Sequence, residues 1–178
     1  MTYCVGMLLE KGMAFMSDTR TNSGVDNIST FRKMFSWSQP GERFITMMTA
    51  GNLATTQALI SQLEERTKAP SERKPSILEA PTMFQVANII GTTLRDTIAA
   101  RALTGPVAAS PAPNFNASVI VGGQIKGMEP RLYLIYPEGN FIEASPETPF
   151  FQIGETKYGR PILVRGFESH MSFADITK

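Results

Sequence analysis

The chain opens Met1-Thr2-Tyr3-Cys4-Val5-Gly6-Met7-Leu8-Leu9-Glu10-Lys11-Gly12-Met13-Ala14-Phe15-Met16-Ser17. Thr2–Glu10 reads as a strand, Lys11-Gly12 is a turn signal, and Met13–Ser17 reads as the strand that returns beside the first. The next stretch, Asp18–Ser29, is polar and turn-rich and reads as a loop. Thr30–Ser38 reads as a third strand, ended by Gln39-Pro40-Gly41. Arg43–Thr49 reads as a fourth, with Ile45, Met47 and Met48 as its apolar residues. Two consecutive hairpins therefore begin the molecule.

Working outward, the pattern changes period after Gly51. Asn52 suits a helix N-cap, and Leu53, Ala58, Leu59, Ile60 and Leu63 follow at helical spacing to about Thr67. Pro70 and Pro75 break the charged segment Ala69–Ser76, which reads as a surface connection. Met83, Val86, Ile89, Ile90, Leu94, Ile98 and Ala102 form one apolar stripe along a second helix over Thr82–Leu103. Gly105–Asn116 is a proline-containing loop. Strands return at Ser118–Val121, Arg131–Tyr136 and Phe141–Ala144, with Pro137-Glu138-Gly139-Asn140 as a tight turn and Phe150–Ile153 as a further short strand. Tyr158–Val164 reads as helix beginning near Pro161. Strands, then helices, then strands define an α+β chain rather than an alternating α/β one. Two sheets between helical layers fit this order, although periodicity alone does not establish the arrangement.

The sequence of 178 residues is long enough for one domain with a substantial core and short for two. A net charge of +1 without a Lys/Arg cluster offers no nucleic-acid footprint. The apolar runs are far too short to span a bilayer. No basic, apolar leader precedes the first strand, and with one cysteine, Cys4, no internal disulfide is possible, so the expected compartment is the cytoplasm. One histidine, His170, and one cysteine cannot build a His/Cys zinc site, and no cofactor motif is present. Gly122-Gly123 with Lys126-Gly127 lacks the spacing of a phosphate loop.

Four positions carry candidate chemistry. If Met1 is trimmed, Thr2 presents a hydroxyl nucleophile and, in its own α-amine with a reference pKa of roughly 7.7–8.0, a base at neutral pH. With Met1 in place that nitrogen is an amide and no base exists. A hairpin turning at Lys11-Gly12 returns Asp18 close to Thr2. There Asp18 either holds a cation or simply caps a loop in an Asx turn. Lys33 shares a strand face with Phe31 in a regular alternation. It is either an inward partner of Asp18, lowering the pKa of nearby groups, or a solvated edge residue. Gly51, before the helix start, either offers its N–H to an oxyanion or is a turn glycine. Cys4 is a further nucleophile by type, but a thiol early in a strand is ordinarily buried and inert.

Together these residues form a pattern. Ser17-Asp18-Thr19-Arg20-Thr21-Asn22-Ser23-Gly24 resembles the Asp-x-Arg-Thr-x-x-Gly loop of proteasome β-subunits. Ala50-Gly51-Asn52-Leu53-Ala54-Thr55-Thr56-Gln57-Ala58 resembles their Ser-Gly-x-x-Ala-Asp-Thr-Gln-Ala segment. Met1–Gly6, Gly24–Phe31, Thr49–Gln57 and Tyr136–Asn140 are similar to the bacterial ancestral β-subunit family, Anbu, described as proteasome-type proteases. The similarity runs along essentially the whole chain.

The resemblance implies a four-layer αββα sandwich of the N-terminal-nucleophile hydrolase type and a threonine-type endopeptidase. Thr2 is then the nucleophile and, through its amine, the base; Asp18 and Lys33 support it electrostatically; Gly51 N–H stabilises the oxyanion. Arg20, Thr21 and Asn22 fall in the substrate-binding loop, and Thr49 lines the specificity pocket. No metal or cofactor is implied. The substrates are peptides or unfolded protein, and the subunits self-assemble into a homo-oligomeric ring or spiral; no unfoldase is indicated. Two departures stand out. Ile153-Gly154-Glu155-Thr156-Lys157 puts Glu155 where the family carries a serine in a Gly-Ser-Gly element. The family also continues past Lys178 with a helix–strand region that supplies an Asp and a Ser, so residues 1–178 are read as one subunit-like domain truncated at its C-terminus. The alternatives are an inactive assembly subunit and an amidase acting on a non-peptide amide.

Overall fold

The computed structural model describes residues 2–22, 28–68, 75–104 and 114–177, with the side chains at 20–22, 28–30 and 103–104 outside the description. The opening hairpin is β1 (Tyr3–Leu9) and β2 (Gly12–Ser17), paired antiparallel from Cys4↔Ser17 to Leu9↔Gly12. The link Glu10-Lys11 and the positive φ of Gly12 make the tight return that the sequence suggests. On the other side of β1 lies β10 (Phe150–Gly154), so the smaller sheet has the order β10-β1-β2. That pairing joins opposite ends of the described chain.

The larger sheet is built from β5 (Met34–Gln39), β6 (Arg43–Gly51), β7 (Ala117–Ile125), β8 (Arg131–Ile135) and β9 (Phe141–Glu143), in that spatial order. The central pair β6 and β7 is almost continuously buried because both faces are covered. One face carries Ile45, Met47, Val119, Val121 and Tyr133 toward α1 (Leu53–Lys68) and α2 (Met83–Thr104). The opposite face carries Met48, Ile120 and Leu132 toward Cys4, Phe151 and Ile153 of the smaller sheet. The helix α3 (Gly159–Gly166) lies beyond β10, its first residue against the Tyr3 ring, and α4 (Phe173–Ile176) approaches the β1–β2 turn at Gly12. The layers are thus helix, sheet, sheet, helix, the αββα sandwich expected.

Packing rather than propensity holds α2 in place. Gly91, Thr92, Thr93 and Thr97 are indifferent helix formers, and a glycine costs about 1 kcal/mol relative to alanine. Val86, Ile90 and Leu94 are fully buried against the sheet, and each such side chain contributes about 1.5–3 kcal/mol. Gly91 is also required sterically, since a Cβ there would lie 2.2 Å from the Gly139 carbonyl oxygen in the turn between β8 and β9.

Two local expectations differ from the structure. The segment expected to be loop after Asp18 contains a small ribbon, β3 (Arg20–Asn22) paired with β4 (Ile28–Thr30). The third strand does not begin at Thr30: residues 31–33 are not strand and β5 starts at Met34. Helix α3 starts at Gly159, near Pro161 as expected; the first four N–H groups of a helix need no intrahelical acceptor, so the proline among them loses nothing. The connections at 69–74 and 105–113, and the tip at 23–27, lie outside the described residues.

Candidate active site

The site forms where four separate segments meet the first residues of β1. The hairpin register puts Ser17 opposite Cys4, so Asp18 arrives beside Tyr3. Two backbone-level contacts fix it there: Asp18 N–H donates to the Tyr3 carbonyl at 3.0 Å, and Tyr3 N–H donates to Asp18 Oδ1 at 2.9 Å. The Asp18 carboxylate therefore sits against the peptide unit that joins Thr2 to Tyr3.

Lys33 comes from the link before β5. Its carbonyl accepts Thr49 N–H at 3.0 Å, extending the β5–β6 ladder by one step and fixing the residue next to the core. Its Nζ donates to both Asp18 oxygens at 2.8 Å, while the side chain is only 6% exposed and Asp18 is 34% exposed. A buried ammonium needs a paired counter-charge. The inward orientation thus holds for Lys33, though not through strand alternation, since the residue is outside any strand.

Gly51 ends β6 with φ +118°, a conformation that favours glycine, and a Cβ there would lie 2.5 Å from the Asn116 carbonyl oxygen. The next residue caps α1 as expected: Asn52 Oδ1 accepts Thr55 N–H at 3.0 Å. Strand β6 thus hands the chain to a helix start directly beside the site. Thr2, Lys33, Thr49 and Gly51 line one small cavity of about 30 Å³ together with Phe31, Arg32, Ala50, Leu53 and Thr56. That volume has room for one or two waters, not for a substrate side chain. A larger cavity of about 840 Å³ lies along the β10 edge, between α3 and the β8–β9 end of the larger sheet, lined among others by Leu134, Ile142, Gln152, Arg160 and Val164, and none of the candidate residues lines it.

The fourth segment is β10 and its exit. Glu155 N–H donates to the Thr2 carbonyl at 2.7 Å. This closeness depends on Gly154, whose φ is +88° and whose missing Cβ would stand 2.0 Å from the same oxygen. The Glu155 carboxylate accepts Lys157 N–H at 3.3 Å. Cys4 lies directly behind the cluster, its Sγ 3.9 Å from the Thr49 carbonyl. Burial, reinforced by the negative charge of Asp18 and opposed by Lys33, pushes its thiol up to about 12. It is a neutral, packed group rather than a thiolate nucleophile.

Of the residues singled out from sequence, Thr2, Asp18, Lys33, Thr49 and Gly51 are brought together. Arg20, Thr21 and Asn22 lie in β3, immediately after the Asp18-Thr19 step; their side chains are outside the described residues. Sequence reasoning missed Tyr3 as the donor to Asp18 and missed the cavity wall at Phe31, Arg32 and Thr56. Phe31 and Thr56 had a signal, as parts of the Gly24–Phe31 and Thr49–Gln57 stretches; Arg32 had none.

The family described as "Proteasome subunit" matches residues 2–178. The chain belongs to the proteasome subunit family, in its Anbu (ancestral β-subunit) branch. It is 44% identical to Anbu from Yersinia bercovieri, with a TM-score of 0.88 over 98% of this chain and 70% of that one. It is 43% identical to the Anbu chain of a helical assembly from Pseudomonas aeruginosa, with a TM-score of 0.89 over 98% and 70% of the two chains. Anbu from Hyphomicrobium sp. is 45% identical, with a TM-score of 0.85 over the same shares. No curated protein matches the chain. Among the described residues, no helix is long and apolar enough to cross a membrane.

Proposed function

We propose that this chain is a threonine-type peptidase subunit in which Thr2, exposed by removal of Met1, hydrolyses peptide bonds. The observation that carries the reading is the Asp18 carboxylate, shared between the Tyr3 N–H and the Lys33 ammonium at the edge of the cavity that Thr2 lines. Such a pair places a fixed cation beside the Thr2 framework, which favours the deprotonated form of a nearby amine and hydroxyl.

In the proposed reaction the Thr2 Oγ1 attacks the substrate carbonyl carbon as its proton passes to the α-amine. The resulting oxyanion accepts the Gly51 N–H, assisted by the start of α1. Collapse expels the amine half of the substrate, which takes the proton, and leaves an ester on Thr2. Water activated by the same α-amine then cleaves the ester and restores the hydroxyl. Arg20, Thr21 and Asn22 serve as the strand that receives the substrate backbone, and Thr49 borders the side-chain pocket. Because the cavity at Thr2 holds only water-sized groups, the rest of that pocket is supplied by neighbouring subunits. The solved relative from Pseudomonas aeruginosa forms a helical assembly, and this chain is read as a homo-oligomer on that basis, acting on peptides or unfolded protein in the cytoplasm.

Intact mass before and after treatment with a peptide epoxyketone tests the reading, since that group is trapped through both the hydroxyl and the amine of a terminal threonine. A chain lacking Met1 that gains one adduct, with none on Thr2→Ala, is the expected result. Retained Met1, or a trimmed chain that takes no adduct, refutes the peptidase assignment. One observation favours the alternative of an inactive assembly subunit: at position 155 only a backbone N–H meets Thr2, where relatives in the wider family place a serine hydroxyl.

A further inference from the structure

Tyr3 joins the candidate site to α3. Its backbone makes both contacts to Asp18. Its side chain points to the opposite face from Cys4, onto the outer surface of the small sheet, where Gln152 is a diagonal neighbour across β10. There the phenol donates to Gln152 Oε1 at 3.0 Å. The tip of the ring is also the seat of α3. A Cβ on Gly159, the first residue of that helix, would stand 2.1 Å from the Tyr3 phenolic oxygen, 2.4 Å from Cζ and 2.7 Å from Cε2. The helix backbone rests on the ring with no intervening atom. Between these two ends, Glu155, four residues before Gly159, holds the Thr2 carbonyl through its N–H at 2.7 Å.

We infer that Tyr3 is a positioning residue for Thr2 and Asp18, set in place by the seating of Gly159 on its ring. The inference rests on the peptidase reading for its consequence in catalysis, but its geometry stands by itself. An added methyl meets the far end of the Tyr3 side chain, so it is relieved either by swinging the ring off its seat, against the phenol's bond to Gln152, or by movement of α3 or the start of β1. The segment 155–158 ties α3 to the Thr2 carbonyl over a short span, so either backbone movement reaches the same residue. A displacement of about 1 Å at a reacting group is enough to lower a rate about a hundredfold. Gly159 does not have a positive φ, and alanine is therefore acceptable to the helix itself. The glycine is needed for space alone.

The test is a cycle of Gly159→Ala, Tyr3→Leu and the double variant, read by two measurements on the assembled protein. The first is the rate of epoxyketone labelling. Gly159→Ala lowers it tenfold to a hundredfold in the presence of Tyr3, and has no further effect in the Tyr3→Leu background, where the ring is gone. Tyr3→Phe, which keeps the seat and loses only the bond to Gln152, stays within a fewfold of the parent. The second is amide hydrogen exchange at Tyr3, Asp18 and Glu155, which does not require activity. Gly159→Ala speeds exchange at these three amides while β6 and β7 stay protected. Unchanged exchange at these sites, or an equal loss from Gly159→Ala with and without the Tyr3 ring, overturns the inference. If the parent protein takes no epoxyketone, the peptidase reading falls and the exchange measurement alone decides whether Tyr3 positions the cluster.

Discussion

The pairing of Asp18 with Lys33 makes the sharpest demand on the structure. Lys33 is 6% exposed and contacts both carboxylate oxygens at 2.8 Å. Removing one member of a buried pair ordinarily costs about 3–5 kcal/mol, because the other keeps the desolvation penalty without that attraction. Asp18 is a third exposed, so water compensates part of the loss when the lysine is removed. Lys33→Met is therefore expected to cost about 2–3 kcal/mol. Asp18→Asn, which leaves the more deeply buried cation facing an amide, is expected to cost about 3–4 kcal/mol. The double variant has neither charge and is expected to cost no more than the worse single change. The cycle then returns a coupling energy of about 2 kcal/mol or more. Urea unfolding at one fixed protomer concentration measures all four proteins, since assembly adds a concentration-dependent contribution. Single effects that simply add in the double variant, or singles within about 0.5 kcal/mol of the parent, would refute the reasoning and return the pair to the status of a surface salt bridge.

Other expectations follow from contacts around the cluster. Gly51→Ala combines a φ of +118° with a Cβ 2.5 Å from the Asn116 carbonyl oxygen. It is expected to destabilise by about 2–3 kcal/mol in thermal melts, and, because relief of that strain turns the retained N–H away from the oxyanion position, to slow epoxyketone labelling by up to about 10²-fold, the lower end of the cost of losing such a donor. The Cys4 thiol, raised from its ordinary 9.0 to about 12 chiefly by burial, is expected to react with iodoacetamide at pH 8 far more slowly in the folded than in the urea-unfolded protein. The same shift makes stability depend on alkaline pH. The unfolded chain loses the thiol proton first, so this contribution is complete below about 9 and is lost as pH rises toward about 12. The Tyr3 and Tyr133 phenols, also raised by burial, act in the same direction. Urea midpoints between pH 8 and 11 should fall less steeply in Cys4→Ala.

Much of the site could be read from local sequence because local sequence builds it. The turn at Lys11-Gly12 sets the β1–β2 register, and counting back along β2 delivers Asp18 to Tyr3. Asn52 declares the start of α1 through side-chain chemistry, which fixes the end of β6 and the place of Gly51. Strand alternation is not what turns Lys33 inward, because residues 31–33 are not strand and periodicity says nothing about their direction. Burial beside a carboxylate decides it instead. The ribbon of β3 and β4 left no trace, since polar three-residue strands have no alternation to detect. Gly159 was equally silent: its role depends on a ring 156 positions earlier in the chain, and no local pattern encodes a contact across β10.

The arrangement also separates the nucleophile from the scaffold that holds it, and this makes a last prediction. Thr2 is fixed by its backbone: its carbonyl accepts Glu155 N–H at 2.7 Å, and the following N–H and carbonyl, those of Tyr3, both engage Asp18. None of these contacts uses the threonine side chain, and Thr2 is only partly buried. Thr2→Ala removes a hydroxyl and a methyl beside a cavity with room for a water. The expected change in stability is thus within about 0.5 kcal/mol, the range of substitutions away from packed or charged features. A fold supported by the Thr2 hydroxyl would instead lose 1 kcal/mol or more with the alanine, as buried hydrogen-bond deletions do. Thermal melts of parent and variant, set beside their epoxyketone labelling, separate the two cases. Unchanged melting with abolished labelling means that the hydroxyl is spent on chemistry alone, whereas a lower melting temperature means that Thr2 belongs to the scaffold and its presence in the cluster is no argument for catalysis.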